Sequence, residues 1–370
     1  MHILHVYRTY FPDPPGGLQE AIRQIALATS AQGATNTIFT LTPSLRKRVI
    51  DRPEAVVVRR RSWSAPASCD IGGLGAFREF ARLAKTADII QYHFPWPFAD
   101  LLHLATRPEA PALITWHSDI VRQRWLGKVY EPLMKRMIAS VRTIVATSPA
   151  YAETSPVLSR LCDKVRVIPL GIDQASYPAD SDNAIFDKLG FRESEAFFLF
   201  IGMLRYYKGL EFLVEAARES NVKVLIAGKG TETEDARLRK LAGECAGVIF
   251  AGQVDNREKV ALLKHCRALV LPSHLRSEAF GMVLLEAAMF GKPLISCNIG
   301  TGTSYVNVDG ETGIVVPPAS SPALAKAMRT LQEDETMAAH MGRAARERYE
   351  RLFSGTAQGE AYIRLYAEIA

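Results

Sequence analysis

The sequence predicts an α/β protein built from two doubly wound, Rossmann-like domains. Short apolar runs, typical of buried parallel strands, alternate with amphipathic stretches of helical period along the chain. The length of 370 residues exceeds what one ordinary hydrophobic core organises. A polar segment over 174–187, with Asp and Pro, has the composition of a linker. We therefore expect one domain over 1–170 and a second over 171–355.

The first half of the chain carries the elements of one such domain. Residues 1–7 predict a strand, and a Gly- and Pro-rich loop leads into a helix from about Leu18 to Gln32. Ligands of open α/β sheets gather at the carboxyl ends of the strands. His117 ends one predicted strand and His93 ends another, so both are placed to line a cleft; a purely structural role is the alternative for each. The predicted elements between residues 37 and 147 are strands Thr37–Thr42, Val56–Arg60, Asp88–His93, Ala112–His117 and Thr143–Thr147, with a helix near Phe77–Lys85.

The second half repeats the alternation and adds charge at one turn. Strand Phe197–Ile201 leads into a turn with Arg205 and Lys208, and helix Glu211–Glu219 follows. Two cations beside helix amides can neutralise a diphosphate. The turn Gly228-Lys-Gly230 lacks the rest of a GxGxxG motif, which argues against dinucleotide binding. The remaining predicted elements are strands Val222–Ala227, Val248–Ala251 and Ala268–Pro272, and helices over 324–370.

Two glutamates mark the stretch from Arg276 to Phe290. Residues 282–290 are apolar on every side apart from Glu286, which is typical of a buried helix. A buried carboxylate needs a hydrogen-bonding partner. Glu278 lies in the loop before the helix, whose first-turn amides suit a phosphate. Sugar hydroxyls could bond the two carboxylates on either side of that phosphate, which is the layout of a nucleotide sugar. In the alternative reading, Glu286 forms a buried ion pair and Glu278 is solvated.

Composition narrows the class of protein. The longest apolar run, Ala196–Leu204, is far below the roughly 18 residues of a membrane span. The five cysteines are scattered without CxxC spacing, which predicts a reducing cytoplasm and neither a disulfide nor a metal centre. Asp180-Ser-Asp182 has the residue pattern of a metal-binding Asp-x-Asp motif, but it lies in the linker with no strand before it. We interpret it as a solvated segment and not as a metal site. We therefore expect no metal.

Positive charge is concentrated in the first half. Residues 1–180 hold 22 Lys and Arg against 15 Asp and Glu, whereas the remainder holds 23 against 24. This favours an anionic partner, either a membrane surface or a lipid-linked pyrophosphate. Nucleic acid is not expected, because no nucleic-acid-binding motif is present. Residues 120–142 are basic and amphipathic, and either lie on an anionic membrane or form a surface helix with one buried face, interrupted at Pro132.

The quoted motifs carry a family resemblance. Glu278-Ala-Phe-Gly-Met-Val-Leu-Leu-Glu286, followed by Gly291-Lys-Pro293, resembles the Glu-x7-Glu signature of retaining GT-B glycosyltransferases of family 4. Gly300-Thr-Gly-Thr-Ser-Tyr-Val-Asn307 resembles the bacterial branch that builds cell-surface polysaccharide. The resemblance covers essentially the whole chain. It implies the GT-B fold, with two Rossmann-like domains facing a central cleft and a last helix, 356–370, that packs back on the first domain.

The resemblance also implies an activity and a set of site residues. The activity is metal-independent transfer of a hexose from a nucleoside diphosphate sugar with retention of configuration. The family arginine position is held here by Met203, which leaves Arg205 as its candidate replacement. The implied catalytic residues are His117, Arg205, Lys208 and Glu278. The implied donor-binding residues are Gly16, Gly17, Gly228, Gly230, Val254, Glu278, Ala279, Phe280, Gly281, Met282 and Glu286.

The substrates follow from the same resemblance. GDP-mannose or GDP-rhamnose is the favoured donor, and UDP-hexoses remain open. The implied acceptor is a polyprenyl-diphosphate-linked saccharide, which places the protein in the cytoplasm, at the inner face of the cytoplasmic membrane. Two other functions stay open: a UDP-sugar epimerase of the same architecture, and a non-catalytic nucleotide-sugar-binding subunit.

Overall fold

The computed structural model describes residues 1–13, 16–44, 48–65, 69–120, 124–243 and 245–370. The chain divides into two compact units. Unit 1 comprises 1–173 together with 355–370, and unit 2 comprises 174–354. Each unit is built on one twisted, mainly parallel sheet, so the predicted two-domain α/β class is confirmed.

Unit 1 contains strands β1 to β9 and helices α1 to α5 and α14. The strands are β1 (His2–Val6), β2 (Thr35–Thr42), β3 (Val49–Asp51), β4 (Val56–Ser64), β5 (Ile71–Gly72), β6 (Ile89–Phe94), β7 (Ala112–Trp116), β8 (Thr143–Ala146) and β9 (Val165–Val167). The helices are α1 (Gly17–Ala31), α2 (Leu74–Ala84), α3 (Pro97–Thr106), α4 (Arg124–Ser140), α5 (Pro149–Thr154) and α14 (Gly355–Ile369).

The sheet of unit 1 has the order β3-β4-β2-β1-β6-β7-β8-β9, with β5 paired to β4. The parallel strands step outward from β1 in both directions, so the strand order reverses between β1 and β6. Two short strands, β3 and β5, pair antiparallel with β4. Neither was predicted, because strands of three and two residues at a sheet edge carry no apolar run; β9 of this unit was not predicted either.

Unit 2 contains strands β10 to β15 and helices α6 to α13. The strands are β10 (Phe198–Ile201), β11 (Val224–Ala227), β12 (Val248–Gly252), β13 (Ala268–Leu271), β14 (Leu294–Cys297) and β15 (Gly313–Val316). The helices are α6 (Ala184–Lys188), α7 (Leu210–Ser220), α8 (Glu232–Ala242), α9 (Asn256–His265), α10 (Met282–Met289), α11 (Thr303–Val306), α12 (Ser321–Glu333) and α13 (Glu335–Leu352).

The sheet of unit 2 is parallel and has the order β12-β11-β10-β13-β14-β15. This is the order of a dinucleotide-binding Rossmann sheet, and it too reverses in the middle, between β10 and β13. The central strands are fully buried on both faces, which is why they read as continuous apolar runs in the sequence. In such sheets the ligand lies beyond the carboxyl ends of the strands at the reversal.

The last helix, α14, packs against α1 within unit 1. The helices approach closely at Gly359, where an added Cβ would lie 2.4 Å from the carbonyl oxygen of Ala28. The chain leaves unit 1 after residue 173 and returns to it at residue 355. These two points are adjacent, since the amide of Gly355 donates to the carbonyl of Ile172 at 3.0 Å.

Helix α4 differs from its prediction at Pro132. The helix continues through this proline instead of being interrupted. A proline inside a helix removes one backbone donor and distorts the helix, but the turns on either side can persist. No helix in the described part of the chain is long and apolar enough to cross a membrane.

Candidate active site

Two loops of unit 2 meet at the point where its strand order reverses. One follows β10 and ends at Gly209, and the other follows β13 and ends at Gly281. The amide of His274 donates to the carbonyl of Tyr207 at 3.0 Å and ties the two loops together. Gly209 has a φ of 66°, and an added Cβ would lie 2.3 Å from the carbonyl oxygen of Pro272. Glycine is required there for both reasons.

Lys208 and Glu278 form an ion pair between these loops. The ammonium donates to Glu278 Oε2, and Ser273 Oγ donates to the same oxygen at 3.3 Å. Each of the paired side chains is only 12% exposed. Burial alone would lower the pKa of Lys208, but the Glu278 carboxylate outweighs burial and leaves that pKa raised. Lys208 is therefore cationic at neutral pH, and the alternative of a solvated Glu278 is wrong.

Helix α10 begins at this ion pair. Gly281 caps it with φ 84° and ψ 60°, and no side chain bonds the first-turn amides. The backbone N–H groups of Phe280, Gly281 and Met282 donate to no acceptor among the residues described. Behind the loop, the amide of Gly302 donates to the carbonyl of Ala279 at 2.9 Å. This bond fixes the start of α10 without using its first-turn amides, whose partial positive charge can therefore attract an anion.

Glu286 lies in the second turn of α10 and is 9% exposed. Its Oε1 accepts hydrogen bonds from Tyr177 Oη at 2.7 Å and Lys259 Nζ at 3.1 Å. The Lys259 ammonium also lies 4.8 Å from the centroid of the Tyr177 ring. The required partner of the buried carboxylate therefore exists, and it is the buried ion pair of the alternative reading. Sequence reasoning could require this partner but could not identify Lys259 or Tyr177.

The two glutamates share one further property. Glu278 uses Oε2 and Glu286 uses Oε1 for its protein contacts. The other oxygen of each, Oε1 of Glu278 and Oε2 of Glu286, accepts no hydrogen bond from any described residue. Each carboxylate is thus fixed in place through one oxygen and retains a second oxygen for hydroxyl donors.

The remaining predicted residues of unit 2 lie in the loops that follow β10, β11 and β12. Arg205 is exposed, and its contact within the described residues is Nη2 to Met203 Sδ at 3.8 Å. An added Cβ at Gly228 would lie 1.8 Å from the carbonyl oxygen of Gly202, so glycine is required there by close packing of two turns. Gly230 packs against the Leu204 carbonyl in the same way. Val254 is half-buried in the loop after β12.

The predicted residues of unit 1 lie in the segments that follow β1 and β7. Gly16 caps α1 in an extended conformation and Gly17 is the first residue of that helix. His117 lies one residue beyond β7 and is 7% exposed. Its Nε2 lies 2.9 Å from His93 Nδ1, and His93 Nε2 lies 3.2 Å from His5 Nδ1. His93 therefore belongs to the same cluster as His117, and His5 was missed because it sits inside a strand and not at its end.

Residues 120–142 are described in part. Residues 121–123, including Arg122, lie outside the described part of the chain. Further along α4, Met137 and Ile138 are buried and Tyr130 donates a hydrogen bond to Asp100, whereas Lys135 and Arg136 are exposed. One face of α4 therefore packs on unit 1, as the surface-helix reading expects, and the basic face remains outward. The described residues contain no cluster of metal-ligating side chains.

Two family profiles and several known proteins match the chain. Glycosyltransferase Family 4 matches residues 15–176, and Glycosyl transferases group 1 matches residues 181–348. D-rhamnosyltransferase WbpZ of Pseudomonas aeruginosa is 45% identical over 357 residues, 96% of this chain and 92% of that protein. O-antigen chain mannosyltransferase C of Escherichia coli is 40% identical over 371 residues, 100% of this chain and 99% of that protein. The solved sucrose-phosphate synthase of Thermosynechococcus elongatus shares the fold, with a TM-score of 0.78 at 22% identity over 99% of this chain and 98% of that one.

The fold, the paired glutamates and these matches define the class, a glycosyltransferase with the GT-B fold. Within this class the chain belongs to glycosyltransferase family 4, and the resemblance drawn from residues 278–286 is confirmed.

Proposed function

We propose that this glycosyltransferase moves mannose or 6-deoxy-mannose (rhamnose) from a GDP-sugar to a lipid-linked saccharide, with retention of configuration and without a metal. The observation that carries the proposal is the pair of glutamates, Glu278 and Glu286. Each is fixed through one carboxylate oxygen and has no described partner at the other. They lie on either side of the start of α10, where no side chain bonds the first-turn amides. A nucleotide sugar presents a diphosphate between two sets of hydroxyls, and this arrangement of charges is complementary to it.

Each side chain then has one role in binding the donor. The amides at the start of α10 hold the diphosphate, together with Lys208 and Arg205. An ammonium has three N–H donors, so Lys208 can keep its bond to Glu278 and still reach a phosphate. The free oxygen of Glu286 accepts from the ribose hydroxyls, and that of Glu278 from the hexose. By family resemblance, His117 contacts the hexose near the reacting carbon.

The reaction breaks the bond between the anomeric carbon and the diphosphate oxygen and forms one to the acceptor oxygen. Negative charge develops on the leaving diphosphate, where Lys208, Arg205 and the α10 amides stabilise it as fixed charges and dipoles. The acceptor approaches from the same face of the sugar, and its proton passes to the departing diphosphate oxygen. A two-carboxylate glycosidase mechanism is not required, because both glutamates are engaged in recognition.

The choice of sugar rests on the relatives. One relative is named as a D-rhamnosyltransferase and the other as an O-antigen chain mannosyltransferase. Mannose and rhamnose of the same series differ only at C6, so one site architecture suits both. The second name supports a role in O-antigen biosynthesis. The polyprenyl-diphosphate-linked saccharide proposed as acceptor follows from the family resemblance. We place this reaction in the cytoplasm, with the basic segment 120–142 against the anionic inner face of the membrane.

Thermal stabilisation by candidate donors tests the binding site. The protein is heated in EDTA with GDP, GDP-mannose, UDP, UDP-glucose or UDP-GlcNAc, because a ligand that binds the folded state raises the midpoint. We expect a shift with GDP compounds only. The Glu286→Gln variant should lose that shift. Asp180→Asn, a change at a carboxylate whose side chain is 68% exposed, should retain it. A shift with UDP compounds only would overturn the donor, and a shift that requires added metal would overturn metal independence.

Transfer itself separates this function from its rivals. Incubation with GDP-mannose and a mannosylated polyprenyl diphosphate should release GDP only when the acceptor is present. Release of nucleotide with no acceptor would favour an epimerase-like reaction. Tight binding of GDP-mannose with no turnover under any acceptor would favour a non-catalytic subunit.

A further inference from the structure

Three buried histidines of unit 1 form a diagonal row across adjacent strands, called here the histidine row: His5 on β1, His93 on β6 and His117 after β7. His5 pairs in register with Gln91, two residues before His93. His93 in turn pairs with Thr115, two residues before His117. Side chains two residues apart on a strand share a face, so the row steps across one face of the sheet.

The rings of the row are in hydrogen-bonding contact. The nitrogen-to-nitrogen distances are 3.2 Å between His5 Nδ1 and His93 Nε2, and 2.9 Å between His93 Nδ1 and His117 Nε2. The exposed fraction is 0% for His5, 1% for His93 and 7% for His117. Each contact requires one nitrogen to donate and the other to accept, so the three tautomers depend on one another.

Asn36 fixes the direction of this chain of hydrogen bonds. Its Nδ2 donates to the carbonyl of Ala26 at 2.9 Å, and a carbonyl oxygen can only accept. Nδ2 also donates to Ser30 Oγ at 2.9 Å, while that hydroxyl donates onward to the carbonyl of Glu54. The amide nitrogen is thus set on this side, and Oδ1 faces His5 Nε2 at 3.0 Å. Because Oδ1 only accepts, His5 must carry its proton on Nε2.

The direction then passes along the row. Burial lowers the pKa of His5 to about 4 and of His117 to about 3, and it lowers the pKa of His93 well below the ordinary value. All three rings are therefore neutral at pH 7, each with one N–H and one lone pair. His5 Nδ1 accepts from His93 Nε2–H, and His93 Nδ1 accepts from His117 Nε2–H. The lone pair of His117 is left on Nδ1.

Nδ1 of His117 is the open end of the row. No described residue bonds to it, and it is not fully buried. His117 also lies beyond the carboxyl end of β7, where ligands of such sheets bind. A phosphate or carboxylate oxygen would meet a lone pair there, whereas a hydroxyl would meet an acceptor.

We propose that Asn36, His5 and His93 are positioning residues that lock His117 in the Nε2-protonated tautomer and so make its Nδ1 an obligate acceptor for a hydroxyl of the donor sugar. The inference rests on the proposed function for the identity of the ligand. The tautomer itself is a property of the protein alone. A cationic or Nδ1-protonated histidine would instead favour an anionic group at this nitrogen.

NMR of the 15N-histidine-labelled full chain tests the tautomer without any ligand. Long-range proton–nitrogen correlations show which ring nitrogen is protonated, and the His117 signals are identified by their loss in His117→Asn. We expect Nε2–H for His117 at pH 7. His93→Phe keeps a ring of similar size but breaks the row, and should leave His117 as a mixture of tautomers. The matched control is His103→Phe, because His103 is 7% exposed and bonded to Tyr92 but lies outside the row.

Ligand binding by the same variants tests the consequence. His93→Phe should weaken binding of GDP-mannose by roughly twofold, because only the fraction of His117 that keeps the Nε2-protonated tautomer accepts the hydroxyl, while binding of GDP is unchanged. His103→Phe should change neither. Protonation of His117 on Nδ1 in the unmodified protein would overturn the proposal, and so would an equal loss of GDP and GDP-mannose binding in His93→Phe. If GDP-mannose failed to bind the unmodified protein, the proposed function would fail while the NMR result still decided the tautomer.

Discussion

The Lys208–Glu278 ion pair gives the most quantitative test of the site. Lys208→Met keeps the length of the side chain and removes its charge. Glu278 Oε2 would then retain only the 3.3 Å contact with Ser273. Removing one partner of a buried pair costs about 3–5 kcal/mol. Since both side chains keep 12% exposure and Ser273 remains, we expect a loss of about 2–3 kcal/mol in the free energy of unfolding of unit 2. For a domain of this size that is a fall of roughly 5–10 °C in its midpoint.

Two further variants separate this loss from a general effect of losing a lysine. Lys188→Met removes the lysine of the Lys188–Glu258 pair, where the lysine side chain is 64% exposed, and should cost less than about 0.5 kcal/mol. The double variant Lys208→Met with Glu278→Gln removes both charges and should recover at least half of the lost stability, because no unpaired buried charge remains. Neither Lys208 variant should bind GDP-mannose. The reasoning is refuted if Lys208→Met and Lys188→Met lose the same stability, or if the double variant is no more stable than the single one.

Three shorter predictions concern other parts of the molecule. Tyr177→Phe removes the 2.7 Å hydrogen bond to the buried carboxylate of α10 and should lower donor affinity several-fold in calorimetry; unchanged affinity would show that the tyrosine does not orient it. Folding lowers the pKa of His5 to about 4 and of His117 to about 3, so the unfolded chain binds more protons than the folded one below pH 6.5. The free energy of unfolding should therefore decrease as the pH falls below 6.5. At pH 5 each of these two histidines should have lowered it by about 2 kcal/mol relative to neutral pH. Denaturant titrations that gave the same stability at pH 7 and pH 5 would contradict this. Gly359→Ala should destabilise unit 1 by roughly 1–3 kcal/mol, because the new methyl group meets a backbone carbonyl at 2.4 Å, while Gly75→Ala, with open space around its Cβ, should be neutral or slightly stabilising in the same melts.

The fold class was predictable because its signals are local. The central strands of both units are buried on both faces and therefore appear as apolar runs, and the helices between them carry a helical period. Most of the predicted strands begin and end within two residues of observed ones, but β3, β5, β9, β14 and β15 were not predicted. Strands β3 and β5 were missed because their pairing with β4 depends on a neighbouring strand and not on their own residues.

The site was predictable only where one residue implied another nearby in sequence. Glu278 and Glu286 could be linked because a single loop and helix carry both. The burial of Glu286 required a partner, but Lys259 and Tyr177 lie 27 and 109 residues away, and the folded sheet brings them together. His5 and Asn36 join His117 only through the two-residue offsets of three strands, which the sheet register sets and composition does not show.

The position of α14 bears on how the protein is made. A ribosome synthesises all of unit 2 before it reaches Gly355, yet α14 belongs to unit 1. Unit 2 is therefore complete in sequence, and free to fold, while unit 1 still lacks the helix that covers α1. Of the two units, unit 1 starts earlier in the chain and is completed later, and a nascent chain that stops short of residue 355 carries a complete unit 2 together with a unit 1 whose helix α1 is uncovered.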